Sequence, residues 1–313
     1  MPQKPFFSVI ITVFNKDKYL KKNLDSVLGQ SYKHFEVIVI NDGSTDGSER
    51  ILKAYNDPRI RYFKTENQGI SAARNLGIAK ASTDYIAFVD ADDYWYPFCL
   101  DEQHRLIEKY PNQKVFSVAV ETITNGIHYP KKYSFNTKNE EDYVVNYFKA
   151  SMLSSVLNGS ASIYHTSVFD RIGLYDPNYI SGEDTELYVR VGLNYSVVFS
   201  PRICVSCYDT KKSLSKTSVK LEEKPNFAAF ESLEKHHPDL KHFLDLNRFS
   251  LAIKAKENGD TEGFNSLVEK IALSNLNKRQ RFILKLPGSG VKFLRKLKKT
   301  LEKIGLRLAV FKS

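Results

Sequence analysis

The sequence predicts an α/β protein built on a mostly parallel sheet and followed by a helical extension. Three observations carry this expectation. Apolar β-branched runs alternate with amphipathic stretches about four times in roughly the first 90 residues, the pattern of strands joined by crossover helices. The runs are near-continuous in Val and Ile instead of alternating apolar with polar, which suits strands covered on both faces. Beyond Lys216 the strand signal disappears, and the chain from about residue 219 reads as helices.

In order, Phe7 to Phe14 reads as the first buried strand, and Tyr19, Leu20, Leu24, Val27 and Leu28 then recur at helical spacing. Phe35 to Ile40 is a second buried strand, ending in the turn Asn41 to Gly47, with a helix from about Ser48 to Tyr55. Arg59 to Phe63 gives an edge-like strand. A turn at Asn67-Gln68-Gly69 precedes a helix of small residues, Ser71 to Lys80, and Tyr85 to Val89 supplies a fourth strand ending at Asp90. The regularity then loosens. A helix over Pro97 to Tyr110, a strand near Lys114 to Glu121, and a polar connection through Asn139 lead to a strand at Gly159 to Tyr164. A short helix from Ser167, a helix opening at Gly182-Glu183-Asp184 and ending near Gly192, and a strand at Ser196 to Phe199 follow. The expected organisation is a domain of residues 1–215 and a helical C-terminal region of residues 216–313.

Composition limits what such a chain can be. With 313 residues, 42% of them hydrophobic, it is long enough to bury a packed core, and no run of about 18 uncharged apolar residues is available to cross a bilayer. Asn15-Lys16-Asp17 stands where a signal peptide needs small residues for cleavage, so a cytosolic, reducing location is expected. Three cysteines build no disulfide framework, and Cys204-Val205-Ser206-Cys207 lacks the second pair a zinc site needs, which leaves two strand cysteines. The formal charge of +10 is localised. From Lys278 to Ser313 twelve Lys or Arg face one acid, Glu302, for +11, so the rest of the chain carries −1. A basic tail on an electrically ordinary body does not suggest a nucleic-acid-binding body.

In an open parallel sheet the ligand site lies beyond the carboxyl ends of the strands, where the strand order reverses. The loops expected there, Phe14-Asn15, Asp42 to Asp46, Glu66 to Gly69 and Asp90-Ala91-Asp92-Asp93, form an acidic and Asn-rich set. Asp46 suits a helix N-cap. Asp42, just past a buried strand, suits acceptance from a nucleobase imide or a ribose hydroxyl. Three carboxylates within Asp90 to Asp93 repel one another in a partly dry cleft unless a cation sits among them. Hard oxygen ligands favour Mg2+ or Mn2+, which keep phosphate oxygens in their shell, so a diphosphate is expected beside them; a solvated acidic turn is the alternative. A Gly-x-Gly-x-x-Gly turn after the first strand is absent, as is a Gly-x4-Gly-Lys-Ser/Thr loop, which removes the main support for dehydrogenase and ATPase readings.

Taken in order, Val13-Phe14-Asn15, Asn41-Asp42-Gly43-Ser44-Thr45-Asp46, Asn67-x-Gly69 with Arg74-Asn75-x-Gly77, and Asp90-x-Asp92-Asp93 resemble the inverting family 2 glycosyltransferases with the GT-A nucleotide-sugar fold, over about residues 6–215. Gly182-Glu183-Asp184-Thr185-Glu186-Leu187, with Arg190, is similar to the family's Glu-Asp motif that carries the catalytic base. The resemblance implies inverting transfer of a sugar from a nucleotide diphosphate donor, expected to be a UDP-sugar, to a hydroxyl of a glycan or lipid-linked acceptor by metal-assisted direct displacement. A sugar nucleotidyltransferase and a non-catalytic nucleotide- or glycan-binding module are the alternatives. The first of these usually opens on a Gly-rich, cation-bearing phosphate loop, which Thr12-Val13-Phe14-Asn15-Lys16 is not.

Residue by residue, the resemblance implies Asp184 as the base, with a plain helix N-cap as the alternative, accompanied by Glu183, both held ionised by the helix N-terminus at depressed pKa values. Thr12, Phe14 and Asn15 would line the base pocket, with Asp42 reading the base and Asn67 and Arg74 on the donor. An exposed Arg74 pairing with Glu66 is the alternative. Asp90 would touch the ribose or sugar and, with Asp92, the Mn2+ or Mg2+ ion; Asp93 is ambiguous between ion and sugar. Trp95 is either an apolar platform for a sugar ring or a core aromatic. Gly159 and Ser160 would face the acceptor. Lys211 and Lys212 lie where the family has a loop that closes over the diphosphate, and supply either a phosphate contact or a solvated linker.

At the far end, Leu294, Leu297, Leu301, Ile304, Leu308 and Phe311 recur at steps of three and four, with Lys and Arg on much of the opposite face. Such a helix is expected to meet an anionic membrane surface, which implies a peripheral position on the inner face of the cell membrane. The protein's own core, a second subunit or RNA are the other partners for the stripe.

Overall fold

The computed structural model describes residues 5–137, 141–208, 221–225 and 227–303. Lys211 and Lys212, and the Ile304, Leu308 and Phe311 part of the apolar stripe, lie outside the described residues. The chain divides into two compact units, Met1–Ala150 with Ser154–Pro225, and Ser151–Leu153 with Asn226–Ser313.

The first unit is one ten-stranded sheet with helices packed on it. Its strands are β1 (Phe7–Val13), β2 (Phe35–Asp42), β3 (Ile60–Thr65), β4 (Tyr85–Asp90), β5 (Asp93–Trp95), β6 (Val115–Thr124), β7 (Ile127–Pro130), β8 (Tyr143–Val145), β9 (Ser162–His165) and β10 (Val197–Tyr208). The order is β3-β2-β1-β4-β9-β6-β10-β5, with β7 beside β6 and β8 beside β10. Pairing is parallel across β3-β2-β1-β4 and again between β6 and β10, and β9 enters antiparallel to both its neighbours. β5 and β8, which pair antiparallel with the distant β10, were not legible in the sequence, while β7 returns on β6 through Asn125-Gly126, both at positive φ. β10 also runs on to Tyr208, past the expected end at Phe199, because register shifts between Ser200 and Val205 absorb Pro201, which has no N–H to give the ladder.

The crossovers are α1 (Asp17–Leu28), α2 (Ser48–Lys53), α3 (Ile70–Lys80) and α4 (Cys99–Lys109). Leu20, Leu24 and Val27 of α1 are fully buried, the i, i+4, i+7 stripe of a helix laid on a sheet. α3 has few large side chains because it approaches β1 closely: a Cβ on Gly77 would lie 2.4 Å from Cγ2 of Ile10. α5 (Tyr147–Ala150), α6 (Ser167–Ile172) and α7 (Glu183–Asn194) complete the unit. Gly182, at φ 94°, turns the chain into α7 through left-handed space that a side chain strains to adopt. The core is the apolar interior of β1, β2 and β4, with Trp95, Leu100, Leu106 and Phe116 joining it from the later elements.

The second unit is helical, as expected: α8 (Glu231–Glu234), α9 (Pro238–Asn258), α10 (Thr261–Glu269), α11 (Lys278–Lys285) and α12 (Gly288–Lys303). α10 and α12 pack against α9. Asn277 and Gln280 form a reciprocal capping box at the start of α11, and the Lys256 ammonium donates to Leu284 O and Leu286 O at its end, where the unpaired carbonyls favour a cation. Among the described residues no helix is long and apolar enough to cross a membrane.

Candidate active site

Strand order reverses at β1, which leads to β2 on one side and has β4 on the other, so the crevice opens at the carboxyl ends of β1, β2 and β4. Thr12 stands in register with Ile40 and Asp90 at that end. The loop after β1 is tied to the loop after β2. Asn15, at φ 54°, accepts through Oδ1 from the N–H of Thr45 at 2.8 Å and of Asp46 at 3.3 Å, while Phe14 stays exposed. Asp46 accepts from the N–H of Asp17 and of Ser48, the first residues of α1 and α2, so it satisfies one free donor at each helix start, although the N-cap position of α2 itself is Gly47 and not Asp46 as expected.

Asp42 is buried and committed to the next loop. Its Oδ1 accepts from Thr65 Oγ1 and the Gln68 N–H, both at 3.0 Å, and its Oδ2 from the Gly69 N–H at 2.9 Å. This carboxylate therefore shapes the turn that carries Asn67, whose own Oδ1 accepts from Gly69 at 3.2 Å.

The acids of the β4–β5 turn point three ways. Asp90 Oδ1 meets Arg74, Asp92 Oδ2 takes the Lys16 ammonium at 2.5 Å, and Asp93 turns inward, where Oδ2 accepts from Ser160 Oγ at 2.6 Å and from the Cys207 thiol at 3.3 Å. Burial, with Asp90 and Asp92 adding repulsion, pushes the Asp93 carboxyl up to about 8. Asn23 of α1 holds the turn from behind by donating to the carbonyls of Asp90 and Asp93 at 3.0 and 2.8 Å.

At the floor sits Arg74, only 1% exposed. It does not pair with Glu66 on a solvated face. Its Nη1 donates to Glu183 Oε1 at 3.0 Å and Asp184 Oδ1 at 2.8 Å, and its Nη2 to Asp90 Oδ1 at 3.0 Å. The guanidinium lies 5.1 Å from the Tyr175 ring, and the adjacent Asn75 fixes Tyr175 by exchanging hydrogen bonds with its backbone N–H and carbonyl. One buried cation thus gathers the acid of β4 and both acids that open α7. Such a cation is tolerated because both terminal nitrogens of its fork meet carboxylates.

Asp184 departs from expectation. Desolvation raises its pKa most, Arg74 pulls it down, and Glu183 and Asp90 push it up again, leaving it at about 7. The helix N-terminus alone would have depressed it; burial among like charges is the larger effect. A carboxylate poised near neutrality is better matched to taking a proton than an ordinary one.

Gly159 explains why no side chain stands in the middle of this arrangement. A Cβ there would fall 3.1 Å from Arg74 Nη2, 3.3 Å from Asp90 Oδ2 and 3.4 Å from Asp184 Oδ2. Ser160 is corrected: it is fully buried, donating to Asp93 and accepting from the Asp90 N–H at 3.0 Å, so it braces the acid turn instead of facing an acceptor. Trp95 is the core aromatic of its two readings, buried with its indole N–H on the Ser160 carbonyl at 2.6 Å.

For a divalent cation the rim offers a partial shell. Among the described residues no three His, Cys, Asp or Glu side chains converge as a metal cluster. Asp90 and Asp92, at 35% and 15% exposure, still present carboxylate oxygens at the rim. That donor set fits the one- or two-carboxylate hold Mg2+ and Mn2+ use together with substrate phosphates. Sequence reasoning missed Lys16 and Asn23 altogether. The one available signal was the place of Lys16, three residues past the end of β1; Asn23, in the second turn of α1, carried none.

The profile of glycosyl transferase family 2 matches residues 8–173. An uncharacterized glycosyltransferase of Rickettsia typhi is 30% identical over 205 residues, covering 64% of this chain and 63% of that protein. Glycosyltransferase GlyA of Streptococcus pneumoniae is 44% identical over 105 residues, 33% of this chain and 15% of that protein. The chain thus spans less than two thirds of the length of these relatives. Among solved structures, Staphylococcus aureus TarS 1-349 in complex with UDP-GlcNAc superposes with a TM-score of 0.66 at 18% identity, covering 95% of this chain and 92% of that one. At that identity the likeness concerns the fold.

Proposed function

We propose, starting from the fact that the chain belongs to glycosyl transferase family 2, that it transfers a sugar with inversion from a UDP-sugar to a hydroxyl of a glycan or lipid-linked acceptor. The observation that carries this reading is the gathering of Asp90 and Asp184 around Gly159 by Arg74, at the carboxyl ends of β1 and β4. Asp184 takes the acceptor hydroxyl proton as that oxygen attacks the anomeric carbon opposite the departing diphosphate. Arg74 holds the base in place, and Gly159 leaves room for the reacting groups. Asp92, with Asp90, would hold a Mn2+ or Mg2+ ion, which when bound neutralises charge on the leaving diphosphate. A UDP-linked donor is supported by the fold shared with TarS, solved with UDP-GlcNAc, and a surface-glycan acceptor by likeness to a putative teichuronic acid biosynthesis glycosyltransferase of Bacillus subtilis, 41% identical over 103 residues. A screen of nucleotide sugars with Mn2+, with and without chelator, tests the reading. Release of UDP that stops on chelation is expected, and chelator-insensitive release would remove the metal from the scheme.

The second unit favours an anionic membrane as its partner, with the protein peripheral on the inner face. Phe282 on α11 and Phe293 on α12 are 60% and 66% exposed, and Lys278, Arg279, Arg281, Lys285, Lys292 and Lys296 lie on the same two helices. Exposed aromatic anchors on cation-rich helices are what an anionic leaflet binds. Flotation of the full chain with phosphatidylglycerol vesicles should fall when Phe282 and Phe293 are both changed to Asp; undiminished flotation would refute the assignment.

A further inference from the structure

The Lys16 ammonium and the Asp92 carboxylate meet at 2.5 Å on the rim where the proposed cation would be held. The main chain of Lys16 is fixed independently of its side chain. Its N–H donates to Ser48 Oγ at 2.9 Å, and its carbonyl accepts from Tyr19 and Leu20 at the start of α1. The side chain therefore reaches across to Asp92 without being needed to seat the loop. Both partners keep partial exposure, 27% for Lys16 and 15% for Asp92, and an ion pair in that setting contributes little net stability. It is a contact that can be exchanged. A hard divalent cation seeks the same carboxylate oxygen, and Coulomb repulsion disfavours an ammonium and a dication on one oxygen together.

We propose that Lys16 is a built-in counter-cation of the rim, a rival occupant of Asp92 that a divalent ion must displace, so that Lys16 sets how weakly the nucleotide-free protein binds metal. This rests on the reading of Asp92 as a metal ligand. Lys16 keeps the acid turn neutralised before the donor arrives, and the rivalry lowers metal occupancy until a diphosphate adds its own oxygens to the shell.

The test titrates Mn2+ into the nucleotide-free full chain and reads free ion by electron paramagnetic resonance, with thermal melting to establish folding. Lys16→Met should bind Mn2+ tighter than the parent, by about fivefold if the ion pair lies at the upper end for exposed pairs. Asp92→Asn should lose the site in both the parent and the Lys16→Met background. If Lys16→Met binds no more tightly while Asp92→Asn still abolishes binding, the rivalry is overturned and the metal reading stands. If Asp92→Asn binds Mn2+ like the parent, or no variant binds it, both are overturned.

Discussion

Arg74 Nη1 donates to Asp184 Oδ1 at 2.8 Å, and through this contact the helix following β3 fixes the acid that opens α7, 110 positions away in sequence. The pair sets both the place and the proton affinity of the base. Asp184 must be ionised to accept a proton, so kcat/KM rises with pH through its pKa of about 7. Arg74 pulls that pKa down. Arg74→Met should therefore move the acid limb of the pH profile to higher pH. It should also destabilise the fold, by about 3–5 kcal/mol, because three carboxylates lose their common partner. Arg74→Lys keeps a charge but not the fork, and should show the limb shift in smaller measure. An unmoved limb in a folded variant would separate Arg74 from the base.

Gly159→Ala tests whether the space among Arg74, Asp90 and Asp184 is used. The added methyl meets them at 3.1 to 3.4 Å, close enough that each must give by a few tenths of an ångström. The urea midpoint should change little, while kcat/KM falls by about tenfold, as expected when reacting groups are misplaced by a fraction of an ångström. Wild-type turnover in this variant would place the chemistry elsewhere.

Glu36 tests the opposite end of the sheet. Burial raises its pKa, but hydrogen bonds from Ser8, Arg61 and Ser82 outweigh burial and hold the carboxyl below its ordinary value. A depressed pKa contributes stability that is present above the unfolded value of about 4.5 and is lost as pH falls through the lower folded one. Glu36→Gln should cost about 1–3 kcal/mol at pH 7 and less at pH 3, below the unfolded value. Chemical denaturation at the two pH values measures the difference; an equal loss at both would assign the effect to shape instead of charge.

Much of this fold was legible because its determinants are local. The Val/Ile runs of β1, β2 and β4, the apolar stripe of α1 and the turn residues at Asn41 to Gly47 each announce their element within about ten residues. The short strands β5 and β8 were missed because pairing with the distant β10 defines them, not their own composition, whereas β7 returns on β6 through Asn125-Gly126, a local hairpin signal inside what was read as a polar connection. The same division runs through the site. Asp90, Asp92, Glu183 and Asp184 stand out as acids at strand and helix ends. That Arg74 is buried among three of them, that Asp93 turns inward to Ser160, and that Lys16 reaches Asp92 are long-range facts. Asp184's raised pKa was unreadable for that reason: the helix N-terminus is visible in sequence, but the burial that overrides it is not.

The most direct test of the account is Asp184→Asn, an isosteric change that removes the proton acceptor and leaves the pocket filled. With a UDP-sugar that the wild type turns over, kcat should fall by about a hundredfold to ten-thousandfold, while donor affinity measured by calorimetry stays within about twofold. A folded Asp184→Asn enzyme that transfers sugar at the wild-type rate would contradict the assignment of Asp184 as the base, and with it the mechanism built around Arg74 and Gly159.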